Sequence, residues 1–219
     1  MAVLVWDDSG NRFYETGVSK VVVYPMDASG DYPAGYAWNG VISISETPSG
    51  AEPTALYADN LKYLELISTE EMAVTLEAYT FPDEFALLDG TAVSGTAAGT
   101  YVGQQPRKKF GLAFVTKVGN DVDGESHARK IHLIYGCLAS PSEKAYQSIN
   151  DSPEAITFSW EISTTPETVT GLNASSIVVI DSRDADPTSL TALELVLFGD
   201  VATPANLPHI NAIITAMTP

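Results

Sequence analysis

The sequence is short of the residues that usually do chemistry, with one cysteine and three histidines in 219 positions. A lone cysteine, Cys137, closes no disulfide within the chain and offers one thiolate where a structural zinc site needs four ligands. Basic residues are scarce too: 11 Lys and Arg face 28 Asp and Glu, a net charge of −17. That balance repels a phosphate backbone and excludes ordinary DNA binding. Charged residues of either sign make up only 18% of the chain. Ser, Thr, Gly, Ala and Pro fill the difference, a composition that fits a surface covered by further copies and fits an ordinary β-rich chain equally well. No apolar run approaches the roughly 20 residues of a membrane span; Ile177 to Ile180 is typical. The opening Met1 to Asp8 has no basic flank, long apolar run or small-residue cleavage site, so an unexported product is expected.

What is present is alternation. In Glu71 to Thr80, Met72, Val74, Leu76 and Ala78 fall on one face, and Glu71, Ala73, Thr75, Glu77 and Tyr79 on the other. Ile156, Phe158, Trp160 and Ile162 alternate in the same way with Thr157, Ser159, Glu161 and Ser163. Phe110 to Val118 and Lys130 to Cys137 read as a hairpin around Asn120 to Gly124, whose Asp-Gly pair suits a tight turn with positive φ. Further strands are expected at 18–24, 37–45, 61–67 and 175–181. Helices are expected at Pro82 to Gly90, with Pro at the first helical position, and at Asp186 to Gly199, with Asp186 as N-cap. Ile210 to Met217 fits a terminal strand or helix. Thr47 to Tyr57 is too long for a hairpin turn and reads as a loop, as does the nearly uncharged stretch Thr91 to Gly103. The whole chain, 1–219, reads as one mainly β domain with an arm at 1–16 and a tail at 200–219.

No catalytic constellation emerges. His127 and His132 are five apart on a strand and point to opposite faces, so they do not share a metal. Cys137 falls by alternation with Ile131, Leu133 and Tyr135 and reads as a buried structural thiol. Asp121-Val-Asp123-Gly124 resembles a calcium loop, but Gly119 and Lys130 occupy its first and twelfth positions, where carboxylates are needed. The nucleophile-elbow and phosphate-loop spacings are missing. The adjacent acids Glu70-Glu71 splay to opposite faces of a strand, and Asp83-Glu84 answer a helix dipole. Arg107-Lys108-Lys109 is the one basic run. Charge is uneven around it: residues 46–89 hold 10 acids and 1 base, and residues 90–139 hold 3 acids and 6 bases. Segments of opposite sign can pair between copies, so this run is a candidate inter-subunit patch.

Longer phrases carry a resemblance. Tyr32-Pro33-x-Gly35-x-Ala37-Trp38-Asn39-Gly40, Ser45 to Thr54 and Leu56 to Asn60 look like the major tail tube proteins of tailed bacteriophages. So do Glu77 to Phe85, Gln105 to Leu112, Lys130 to Gly136, Ser140 to Tyr146 and Asn150 to Trp160. The likeness runs from about Gly17 to the C-terminus and is weakest after Gly199.

The resemblance implies a β-sandwich with one or two short flanking helices, six copies closing into a ring, and rings stacking into a hollow tube that conducts viral DNA from capsid to host. It implies a structural virion protein of the tail, assembled in the host cytoplasm, with no enzymatic activity, cofactor, metal or membrane contact. Its partners would be further copies of itself and the tape measure, tail terminator and baseplate or initiator proteins, with DNA passing unbound. Ring stacking would fall to Pro48, Ser49, Gly50, Glu52, Pro53, Tyr57 and Asp59. Alternation nominates Glu71, Thr75, Glu77, Thr157, Ser159 and Glu161 for the lumen. The tube proteins of contractile tails, bacteriocins and type VI secretion systems share this architecture and are the near alternative. A carbohydrate-binding sandwich using Trp6, Trp38 and Trp160 is a more distant one, and a hydrolase more distant still.

Overall fold

The computed structural model describes residues 4–93, 99–149, 151 and 154–218. Its elements in chain order are β1 (Phe13–Pro25), β2 (Tyr36–Ala37), β3 (Val41–Gly50), β4 (Pro53–Ala58), β5 (Leu61–Ile67), β6 (Glu70–Ala78), α1 (Asp83–Leu88), β7 (Ala92–Val93), β8 (Tyr101–Val102), β9 (Phe110–Asn120), β10 (Gly124–Ala139), β11 (Phe158–Ser163), β12 (Ile177–Asp181), α2 (Pro187–Phe198) and α3 (Ile210–Ala216). The fold is mainly β. A large antiparallel sheet runs β2-β1-β9-β10-β12, and a small one runs β11-β6-β3. β10 belongs to both: it pairs β12 through Lys130 to Ile134, then pairs β11 at Leu138 and Ala139.

The change of sheet happens at Gly136, which has φ +60°. The β9–β10 register slips between Ile134 and Cys137, and this slip moves Cys137 to the opposite face from the one its spacing implies. Ile131, Leu133 and Tyr135 face the helices, whereas Cys137 joins Phe110, Leu112 and Ile134 between the sheets. The thiol is fully enclosed there, and burial pushes its pKa up.

Two cores result. Between the sheets, Trp160 lies edge-on to Trp38 at 5.3 Å and to Phe85 at 5.3 Å, with Phe81, Phe110 and Phe158 around them. On the far side of the large sheet, Leu190, Leu193 and Leu197 of α2 and Ile210 and Ile213 of α3 cover Val22, Ala113, Ile131 and Leu133. Three tyrosines strap this layer down. Tyr24 donates to Leu197 O at 2.6 Å, Tyr135 to Pro208 O at 2.9 Å, and Tyr32 to Glu167 at 3.1 Å. The architecture is therefore a sandwich with α2 and α3 on one outer face, and among the described residues no helix or strand covers the outer face of the small sheet.

Several boundaries differ from those read along the sequence. Residues 13–16 belong to β1 and not to an arm, and the strand expected from Ile156 begins at Phe158. The hairpin strands extend to Asn120 and start again at Gly124. Pro82 is the N-cap of α1, one place before the first helical residue. Asp186 caps α2 as expected, accepting from Ser189 N at 2.8 Å, and Gly199 with φ +66° ends the helix. The tail after residue 200 is no appendage, because Leu207, Ile210 and Ile213 are core residues and 210–216 is helical. Within the loop expected at Thr91 to Gly103, residues 94–98 lie outside the described residues and the flanks pair as β7 and β8.

The tail is also held by charge. His209, at the N-cap of α3, has Nδ1 3.1 Å from Glu167 and Nε2 3.0 Å from Asp31. The hydrogen bond to Glu167, helped by the one to Asp31, raises its pKa above the ordinary value while partial burial opposes the rise. A raised histidine stabilises the fold fully below the ordinary value near pH 6.5 and loses that contribution as pH climbs through the raised one. His209 is about half exposed, so solvent screening limits the effect to at most about 1 kcal/mol, or roughly 2–4 °C. Melting curves should show wild type above His209→Gln at pH 6, with the gap closing by pH 9. A gap that widens with pH would contradict the assignment.

Candidate functional site

The segment expected to be a loop, Thr47 to Tyr57, is built as strand. β3 continues through Pro48 and Ser49 to Gly50, paired with β6 as far as Gly50 opposite Glu70. Pro48 is tolerated because β3 is an edge strand. Past this point β4 and β5 form a separate hairpin, closed by Asp59 and Asn60 with φ +51° and +63°. Two successive positive φ values are what a two-residue hairpin turn of type I′ requires, and Asp and Asn accept them best after glycine.

This hairpin packs on neither sheet, and every side chain in its two strands except Ala55 is exposed. Register sorts its faces. Leu56 sits opposite Leu64, Thr54 opposite Leu66 and Ala58 opposite Leu61, so Leu56, Leu61, Leu64 and Leu66 share one face. Pro53, Ala55, Tyr57 and Ile67 share the other with the Lys62–Glu65 ion pair. Leu61, Tyr57 and Ile67 are each at least 70% exposed. Contiguous apolar surface of this kind is uncommon on an isolated soluble chain.

The proposed lumen residues mostly come together. Ser159 pairs Glu77 and Glu161 pairs Thr75 across β11 and β6, while Ser43 and Ser45 of β3 oppose the same Glu77 and Thr75. Ser43 donates to Glu77 at 3.0 Å. With Glu71 opposite Ser49, the uncovered face is a field of hydroxyls carrying Glu71, Glu77 and Glu161. Thr157 precedes β11 and falls outside this ladder. The serines of β3 were not nominated from sequence, although their alternation with Ile44 was a usable signal.

Arg107, Lys108 and Lys109 run into the start of β9. Lys109 donates to Thr165 at 3.0 Å, and Arg107 lies across Gly90 with its Nε buried and without a hydrogen-bond partner. Among the described residues none of the three pairs with a carboxylate, whereas Arg12, Lys62, Lys117, Arg129, Lys130, Lys144 and Arg183 all do. Beside Arg107 is a 670 Å³ groove lined in part by Asp89, Gln105, Ser142 and Lys144. Asp89 there is neutralised by Lys144 at 2.6 Å. The carbohydrate reading loses its groove, because Trp38 and Trp160 are buried against each other and only Trp6 is exposed. His127 and His132 occupy different surroundings, the first against Asp123 and Phe13, the second against Thr116 and Phe114.

No family model matches the sequence, and no curated protein matches it. Among solved structures, a chain of the anti-feeding prophage (AFP) baseplate, from a cryo-EM map with six-fold symmetrisation, aligns with 81% of this chain and 97% of its own. The TM-score is 0.37 and the identity 10%.

Proposed function

We propose that this chain is a structural subunit of a phage tail or a related injection apparatus, whose copies close into six-membered rings that stack into a tube. The observation that carries the reading is the arm: a hairpin with four leucines on one face and no packing partner among the described residues. Exposed strand edges and apolar faces on a chain with so few charges are surfaces awaiting other copies. The small sheet adds the geometry for closure. Among the described residues its β3 edge has no strand beyond it, while its other side is closed by β10 and by the Ser140 contact to Glu161. An open edge that meets a different surface of the next copy makes a heterologous contact, which forms a ring when the rotation closes. The carboxylate-free basic run and the acidic, hydroxyl-rich face then divide the labour, the first for contact between copies and the second for a passage that DNA does not stick to. The resemblance in the sequence supplies the ring number and the tube.

Sedimentation and negative-stain microscopy of the purified chain test this directly. Rings of about 140 kDa, six copies of the 23.3 kDa chain, or tubes built from them are expected. Monomer alone at tens of micromolar, with and without a tail initiator complex, would overturn it.

A further inference from the structure

His132 sits where β3 of the small sheet comes against β10 of the large one. Its ring lies flat on Phe114, with centroids 4.5 Å apart and planes within 4°, and its side chain is only 12% exposed. On one side Nε2 is 3.0 Å from Thr116 Oγ1, and that hydroxyl donates to Glu15 at 2.6 Å. Lys130 donates to the other oxygen of Glu15 at 2.6 Å. On the other side Nδ1 is buried without a hydrogen-bond partner, 3.7 Å from Glu46 Oε1 on β3.

The hydrogens can be assigned from this chain of contacts. A threonine hydroxyl has one proton, and here it goes to a carboxylate that only accepts, so Thr116 Oγ1 must accept from Nε2–H. The neutral ring therefore turns a bare lone pair at Nδ1 toward the carboxylate of Glu46, and two acceptors face each other. A proton at Nδ1 converts this repulsion into a charge-assisted hydrogen bond.

We propose that His132 is a proton-operated latch that fastens the edge strand β3 to the large sheet, closed when Nδ1 is protonated and open when it is not. The charges around it fit this role. β1 contributes Glu15, β3 contributes Glu46, and β10 contributes Lys130; β9 presents the uncharged Thr116 and Phe114. Behind Lys130, across the register, Asp181 of β12 is held by Arg183. Two carboxylates thus face one ammonium, and the imidazolium makes the balance even. Because β3 runs on to Gly50 at the root of the arm, the latch controls how firmly the arm is anchored.

Amide hydrogen exchange of Val41 to Gly50 is the test, read at about pH 8 and about pH 5 across the range in which histidines change charge. Rates are divided by the intrinsic rate at each pH, under conditions where sedimentation gives the same single species at both. β3 should be roughly tenfold better protected at the lower pH. Glu46→Gln should erase the difference, because its side-chain amide can donate to the Nδ1 lone pair without a proton from solvent. Ring ¹⁵N shifts of wild-type His132 should report Nδ1 as the nitrogen that takes the proton. Protection unchanged with pH, a pH difference that survives in Glu46→Gln, or protonation at Nε2 would each overturn the latch.

Discussion

On the proposed assembly, excision of the arm should leave a folded subunit that builds no tubes. Gly50 and Glu70 are cross-strand partners, so replacing residues 51–69 by Asn-Gly closes β3 onto β6 with a turn of the right hand. Almost nothing is lost to the fold, because the removed strands bury no side chain of their own; the melting temperature should move by no more than a few degrees. Assembly is another matter. Each leucine taken out of water at an interface contributes roughly 1.5–3 kcal/mol. The milder variant Leu61→Ser, Leu64→Ser, Leu66→Ser should therefore weaken stacking by about 4–9 kcal/mol, which at 1.4 kcal/mol per decade is a factor of a thousand or more. Circular dichroism confirms folding, and microscopy with sedimentation reads tube length. Tubes of normal length from the excised variant would remove the arm from the assembly and with it the main support for a tube.

Much of the sandwich was legible because alternation is a local signal. Val74, Leu76 and Ala78 are buried as their period-two spacing requires, and so are Trp160 and Ile162. The helix caps were equally local, with Asp186 and Gly199 where the pattern put them. Of the arm, the strand expected at 61–67 is β5, but its other half was illegible for a physical reason. Pro48, Gly50 and Pro53 are strand breakers inside a sheet, and only an edge strand and a projecting hairpin accommodate them, a fact about neighbours that no single segment carries. The helix-facing role of the tail was hidden in the same way, since Leu207, Ile210 and Ile213 acquire their meaning from the β-surface they cover. As for the candidate surface, sequence supplied Glu71, Thr75, Glu77, Ser159 and Glu161, but the register that unites them with Ser43 and Ser45 is long-range. The misplacement of Cys137 shows how one slip in register reverses a face.

That slip makes Gly136 a position where the fold should be unforgiving, and the protein carries its own control. Gly124 and Gly136 have nearly the same φ, +61° and +60°, on the same strand. A Cβ at Gly124 meets nothing within 4 Å, whereas one at Gly136 would collide with the carbonyl oxygen of Thr165 and crowd its N and Cβ. Backbone cannot yield as a side-chain tip can, and Thr165 N also donates to Gly136 O at 3.1 Å, so moving it breaks the bond that holds the corner. Gly124→Ala should cost only the left-handed penalty of about 1–2 kcal/mol. Gly136→Ala should add the steric term and a lost backbone hydrogen bond, for a total of about 3–5 kcal/mol. Denaturant titrations of the two variants read the difference at matched positive φ. Equal losses would mean that the corner absorbs a methyl group by moving Thr165. The transfer of β10 between sheets would then be a tolerance of the fold and not a requirement of it.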